Sequence, residues 1–352
     1  MSGSKPMRFY QMDLVRYYLA VSVIIAHFNV VFGRDIPWPT DSGTAVGVFF
    51  GLSGFLVYAS YERSRSLSRY VASRAWRILP AYWFVVGACA LLLSLLSTCD
   101  VAAYFTSSAF WRYLAANLTF LNFLQPDLPG VFADHAVTAV NGSLWTLKVE
   151  WMLYLSLPLF VWLLRRFRIR FLWGILGLFA FSLIYNYSMI RISSATGSDL
   201  FYRLSYQFAG QFVYFYLGVL CYRYKEHLMA HKLVYFCFGA TLLNLHVACM
   251  SAMPDGIVAQ LSGSLVYPIA TVTMFLVLSV STFISPKVSV VGNCSYEMYL
   301  FHFPILQSLA CWPMFHTLPQ WAMLGISLSL TFLLSFLVNR AIIGIRFFVH
   351  HD

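Results

Sequence analysis

The sequence predicts an all-α integral membrane protein, a bundle of about ten transmembrane helices with both termini in the cytoplasm. Three observations lead there. Of the 352 residues, 60% are hydrophobic and only 10% charged, whereas a water-soluble domain carries about a quarter charged residues to solvate its surface. The apolar residues gather in runs long enough to cross about 30 Å of hydrocarbon at ~1.5 Å per helical residue. The basic residues collect between alternate runs.

The runs lie at 14–32, 44–60, 79–97, 144–164, 171–189, 204–221, 233–252, 262–284, 290–310 and 321–345. The first follows Lys5 and Arg8, as in a signal peptide, but it is long enough to span, holds Arg16 and His27, and precedes no A-x-A-like site. It therefore reads as an uncleaved helix. The second carries Gly47, Gly51, Ser53 and Gly54, a small-residue face suited to close helix packing. The longest loop, 98–143, contains an apolar stretch at 113–125 that is too short to cross and reads as an interfacial or re-entrant helix. The remaining connections are short, no repeat is present, and residues 1–352 read as a single membrane domain.

Counting cations tests the topology, because cytoplasmic loops hold most of the Lys and Arg. With the N-terminus inside, 17 of the 23 fall in cytoplasmic segments and 4 in outside loops, Arg16 and Lys148 lying within spans. The net charge of +10 thus reads as orientation in a plasma membrane, with lipid rather than nucleic acid as partner. The seven cysteines are scattered without a C-x-x-C pair, so neither a disulfide framework nor a metal site is expected.

A titratable side chain inside a span costs about 2.5 to 3.5 kcal/mol on insertion scales and asks for a reason. Those present are Arg16, His27, Lys148, Glu150, His246, Glu297 and His302. His27 lies eleven residues beyond Arg16, ~16 Å along the helix and close to the outer leaflet. Glu150 enters from outside to a similar depth, and His302 shares it. A histidine and a carboxylate at one level make a base and its orienter, so His27 and Glu150 are the candidate catalytic pair. His302 alone reads equally as a hydrogen-bonded core histidine, Arg16 as a snorkelling cation, and His246 as structural. Arg74 and Arg77 share one helix face and can grip a polyphosphate, or serve topology only; Arg165 and Arg168 have identical spacing.

Five stretches in order, Arg16-x10-His27, GVFFGLSGFLV at 47–57, Arg74-x-x-Arg77 with ILPAYW, SLWTLKVEWMLY at 143–154 and SYEMYLFHFPI from Ser295, resemble the acyltransferase 3 family of membrane-bound O-acyltransferases. The resemblance covers nearly the whole chain. It implies transfer of an acyl group, acetyl first, from cytoplasmic acyl-CoA to a hydroxyl of an extracytoplasmic glycan such as lipopolysaccharide O-antigen or exopolysaccharide, in a bacterial inner membrane and without a metal. Acetyl-CoA would lay its phosphates on Arg74 and Arg77, with Arg16 as a further contact. His27, with an ordinary pKa of about 6.5, would deprotonate the acceptor, and Tyr299 or His302 would stabilise the oxyanion; an acyl-imidazole on His27 is the alternative route. A homo-oligomer is compatible with this reading. Lys148 and Trp151 depart from the residues usual in relatives, which bears on acceptor choice. The absence of an esterase-like domain after the last helix implies that the membrane domain or a separate partner completes transfer. The rival class is a proton-coupled secondary transporter, which buried His and Glu also suit.

Overall fold

The computed structural model describes residues 10–253, 256–281 and 293–349, with side chains from residue 11 through residue 344. All regular structure among the described residues is helical. The helices are α1 (Tyr10–Phe32), α2 (Ser42–Arg63), α3 (Leu67–Leu92), α4 (Val101–Thr106), α5 (Ser108–Leu118), α6 (Trp145–Arg166), α7 (Phe171–Thr196) and α8 (Asp199–Ser205). They continue with α9 (Phe212–Arg223), α10 (Lys225–Ala230), α11 (Lys232–Ala252), α12 (Ile257–Leu261), α13 (Tyr267–Val280), α14 (Ser295–Ala310), α15 (Pro313–His316) and α16 (Gln320–Val349).

Among the described residues, 8 helical stretches are long and apolar enough to cross a membrane: α1, α2, α3, α6, α7, α11, the run of α12 into α13, and α16. The chain is an all-α, multi-pass membrane protein. Two expected spans have a different form. The run 290–310 is α14, 16 residues from Ser295, its first residues lying outside the described segment. The run 204–221 is broken: α8 ends at Ser205, a 3₁₀ turn covers Phe208–Gln211, and α9 has 12 residues, or ~18 Å. The break is stable in apolar surroundings because side chains take up the freed carbonyls. Asn186 donates to Ser205 O at 3.2 Å, Ser182 to Ala209 O at 2.7 Å and Gln211 to Tyr206 O at 2.7 Å. Of the cations used to orient the chain, Lys5, Arg8, Lys287 and the side chain of Arg346 lie outside the described residues.

The chain divides into two compact units, each discontinuous in sequence. The first gathers residues within 1–16, 43–71 and 149–291, the second those within 17–42, 72–148 and 292–352. In the first, the small-residue face of α2 serves packing, as its composition predicts. A Cβ on Gly47 would meet the Tyr214 ring at 2.4 Å, one on Gly51 would meet Val272 at 2.7 Å, and one on Gly54 would sit 1.9 Å from Phe215 O. Pro158 lies inside α6 and has no N–H for the carbonyl four residues back. That carbonyl, Tyr154 O, instead accepts from the Tyr70 hydroxyl at 2.7 Å.

In the second unit, Ile25, Phe28 and Phe32 of α1 pack with Leu306 of α14 and with Met323 and Leu324 of α16. The stretch 113–125 is α5 followed by a 3₁₀ turn at Asn122–Leu124. Tyr82 donates to Asn117 O at 2.6 Å, and Asn117 caps Tyr113 O and Gln125 O, both at 2.9 Å.

Candidate active site

The site in the second unit is built on a proline. Pro304 interrupts α14, so Leu300 O loses the partner that an N–H at 304 would give it. Asn141 Nδ2 takes that place at 2.8 Å, and its Oδ1 accepts from Ser143 Oγ at 2.7 Å and Ser143 N at 3.2 Å. Further along α14 the buried Gln307 donates to Val137 O and Ala139 O, and accepts from His135 Nδ1 at 2.9 Å. The loop 135–143 is thereby laced to one face of the helix, and Gly142 seats the Phe303 ring where a Cβ would come within 3.0 Å.

On this fixed helix His302 is fully buried, 0% exposed. Its Nδ1 lies 2.8 Å from Tyr299 O. A carbonyl only accepts, so with a neutral ring Nδ1 carries the proton and Nε2 the lone pair. That Nε2 lies 2.7 Å from His27 Nδ1, so His27 donates from Nδ1. The ring centroids are 5.0 Å apart and the planes 12° from parallel; with the short N–N contact, the rings meet edge to edge in nearly one plane. The Phe303 and His27 rings meet in a T-shaped contact, centroids 5.1 Å apart at 80°. The relay Tyr299 O, His302, His27 therefore leaves the lone pair of His27 on Nε2, where a base needs it.

The other candidates fall as follows. The Tyr299 hydroxyl accepts from Thr146 at 2.9 Å and lies 3.4 Å from Ser143 O, while its carbonyl orients His302. Lys148 sits over the Phe123 ring at 4.8 Å. Arg74 and Arg77 are both on α3; Arg74 Nη2 donates to Ser73 Oγ at 3.1 Å, and the Arg77 guanidinium stacks over Tyr296 at 5.3 Å. Tyr296 in turn donates to Ile78 O at 3.0 Å. In the first unit, half-buried Arg16 lies on α1, and Glu150 accepts from Ser53 Oγ at 2.9 Å and from the hydroxyl of Tyr154, one turn on along α6. His246 Nδ1 bonds Ser262 Oγ at 3.0 Å. No group of three or more His, Cys, Asp or Glu fit to hold a metal occurs among the described residues.

Sequence reasoning missed Asn141, Ser143 and Gln307, although Pro304 inside an apolar run signals an orphaned carbonyl that some donor must reach. The sequence profile of the acyltransferase domain of the acyltransferase 3 family matches residues 9–340. The chain belongs to the acyltransferase 3 family. It is 27% identical over 157 residues to an O-acetyl transferase of Shigella phage Sf6, covering 41% of this chain and 43% of that one. It is 30% identical over 167 residues to nodulation protein 10 of Rhizobium leguminosarum bv. viciae, 44% of this chain and 45% of that one. With the O-acetyltransferase OatA of Staphylococcus aureus it shares 26% identity over 204 residues, 53% of this chain and 30% of that one. The acyltransferase 3 chain thus spans less than half the length of these curated relatives. No solved structure matches it. In family terms, the histidine relay falls within the matched region.

Proposed function

We propose that this acyltransferase 3 protein moves an acetyl group from acyl-CoA to a hydroxyl of an extracytoplasmic glycan, with a sugar of lipopolysaccharide or exopolysaccharide as acceptor. The observation that carries the reading is the relay ending in an unprotonated Nε2 on His27. Family membership supports the reaction class, and the names of two relatives, an O-acetyl transferase and OatA, support acetyl as the group transferred.

His27 Nε2 takes the proton of the acceptor hydroxyl as its oxygen attacks the thioester carbonyl. The imidazolium that forms is held in place by His302 through Nδ1. Collapse of the tetrahedral species breaks the C–S bond, and the departing thiolate takes the proton from Nε2, leaving the O-acyl product, free coenzyme A and neutral His27. His302 is a positioning residue in this scheme, since both its nitrogens are engaged by protein. Glu150, which helix rise along its own segment puts at a similar depth, is the second catalytic candidate, its carboxylate accepting from Ser53 and Tyr154. Arg74 and Arg77, with Arg16, hold the donor phosphates; two guanidiniums a helical turn apart suit bidentate contacts to a polyphosphate. The membrane is a bacterial inner membrane with these cations on its cytoplasmic side.

The test is His27→Ala, assayed for transfer from labelled acetyl-CoA by membranes containing matched amounts of folded protein. Loss of about 100-fold or more is the expected result for a general base; wild-type transfer by the variant would remove His27 from the reaction.

A further inference from the structure

The first unit contains a cavity of about 1150 Å³ bounded by the ends of α2, α6 and α9 and the starts of α3 and α7. Five arginines line it from three separate stretches of chain: Arg65, Arg165, Arg168, Arg170 and Arg223. Against them stands one lining carboxylate, Glu62, already within 3.7 Å of Arg223. The positive-inside rule explains cations near helix ends; it does not explain their convergence on one concavity. None of the residues proposed for the donor phosphates lines it.

Three further features point to a phosphate group held beside acyl chain. Arg168 adopts φ 56°, the left-handed region that costs a side chain of this size about 1 kcal/mol or more. The turn it closes is a helix C-terminus of the kind glycine usually ends, with Ile169 N bonded to Leu164 O at 2.9 Å. An arginine therefore stands where glycine would adopt the backbone without strain. The 26-residue α7 begins at the cavity wall with Phe171, and its N-cap, Arg170, makes no side-chain cap, leaving amide donors of the kind that receive phosphate. Finally, part of the wall is apolar: Val161, Trp162 and Phe171 line the same space as the guanidiniums. Trp162, 56% exposed, sits one turn before Arg165 and Arg166, the placement of an aromatic residue at headgroup level.

We infer that this cavity binds the phosphodiester headgroup of an anionic phospholipid, its acyl chains lying along Trp162 and Phe171. Basic pockets between membrane helices suit that chemistry, each guanidinium contributing attraction that falls off within a Debye length. A soluble phosphate would be met by the same arginines but would leave the apolar wall unused.

The test is selective retention of phosphatidylglycerol over phosphatidylcholine by the purified full chain in native mass spectrometry, together with its melting temperature in nanodiscs of each lipid. The wild type is expected to retain phosphatidylglycerol selectively and to melt higher in it. The Arg165→Gln, Arg168→Gln, Arg170→Gln variant should lose that selectivity by about tenfold or more, while Arg112→Gln with Arg191→Gln keeps it. Arg168→Gly relieves the backbone strain, so it should melt no lower than wild type in phosphatidylcholine and still bind phosphatidylglycerol severalfold less selectively; this arm stands even if the triple variant fails to fold. A wild type that does not discriminate between the lipids, or unchanged selectivity in Arg168→Gly, overturns the proposal. Coenzyme A or inorganic phosphate raising the melting temperature as much as phosphatidylglycerol does, with the effect lost in Arg168→Gly, overturns the lipid source and gives the cavity to a soluble phosphate.

Discussion

Replacing His302 by alanine isolates the relay from the base it serves. The substitution removes the acceptor of a 2.7 Å hydrogen bond at a fully buried position. The His27 Nδ1–H is then left without its partner, which disfavours the tautomer with a free Nε2 by about 1 to 3 kcal/mol. At ~1.36 kcal/mol per tenfold in rate, kcat falls by about 5- to 150-fold, with affinity for the acyl donor unchanged. His302→Gln presents a side-chain oxygen near the position of the lost Nε2, so it should keep most of the rate. The assay is turnover of labelled acetyl-CoA by proteoliposomes supplied with a membrane glycan fraction, at matched levels of folded protein and saturating donor. A His302→Ala protein with wild-type kcat would refute the reasoning, and so would a glutamine variant as slow as the alanine one.

Asn141→Ala orphans the Leu300 carbonyl and should destabilise the protein by about 1 to 3 kcal/mol; in a Pro304→Ala background, where residue 304 regains its N–H, the cost should shrink, and equal costs in both backgrounds by thermal unfolding would break the proposed link. Gly54→Ala places a Cβ 1.9 Å from a backbone oxygen and should cost about 1 to 3 kcal/mol, whereas Gly87→Ala, with nothing within 4 Å, should be neutral or stabilising in the same unfolding measurement. Arg74→Ala with Arg77→Ala should weaken acetyl-CoA binding by about tenfold or more in calorimetry; unchanged affinity would return both residues to a role in topology.

Class and element type were legible in the sequence because the bilayer imposes a length and a polarity that each spanning run must meet alone. α1, α2, α6, α7 and α11 follow that rule, as does the small-residue face of α2. The run 204–221 escaped it. Composition records that the stretch is apolar, but whether its backbone may break depends on donors such as Ser182 and Asn186 arriving from α7. Likewise α3 begins at Leu67, well before the apolar run at 79, because the helix continues through the polar boundary that hydropathy marks as an end.

The sequence by itself determined the membrane class, the family resemblance and the candidacy of His27, Glu150 and His302 as costly groups at one depth, with Glu150 rather than His302 read as the partner of His27. Only the tertiary structure decided that His302 is His27's hydrogen-bond partner, which nitrogen of each ring carries the proton, and that Asn141 and Gln307 hold the helix that sets them. The reason is physical: insertion cost and helix rise act along one segment and can be read from it, whereas a hydrogen bond between residues 275 positions apart exists only once two helices have packed.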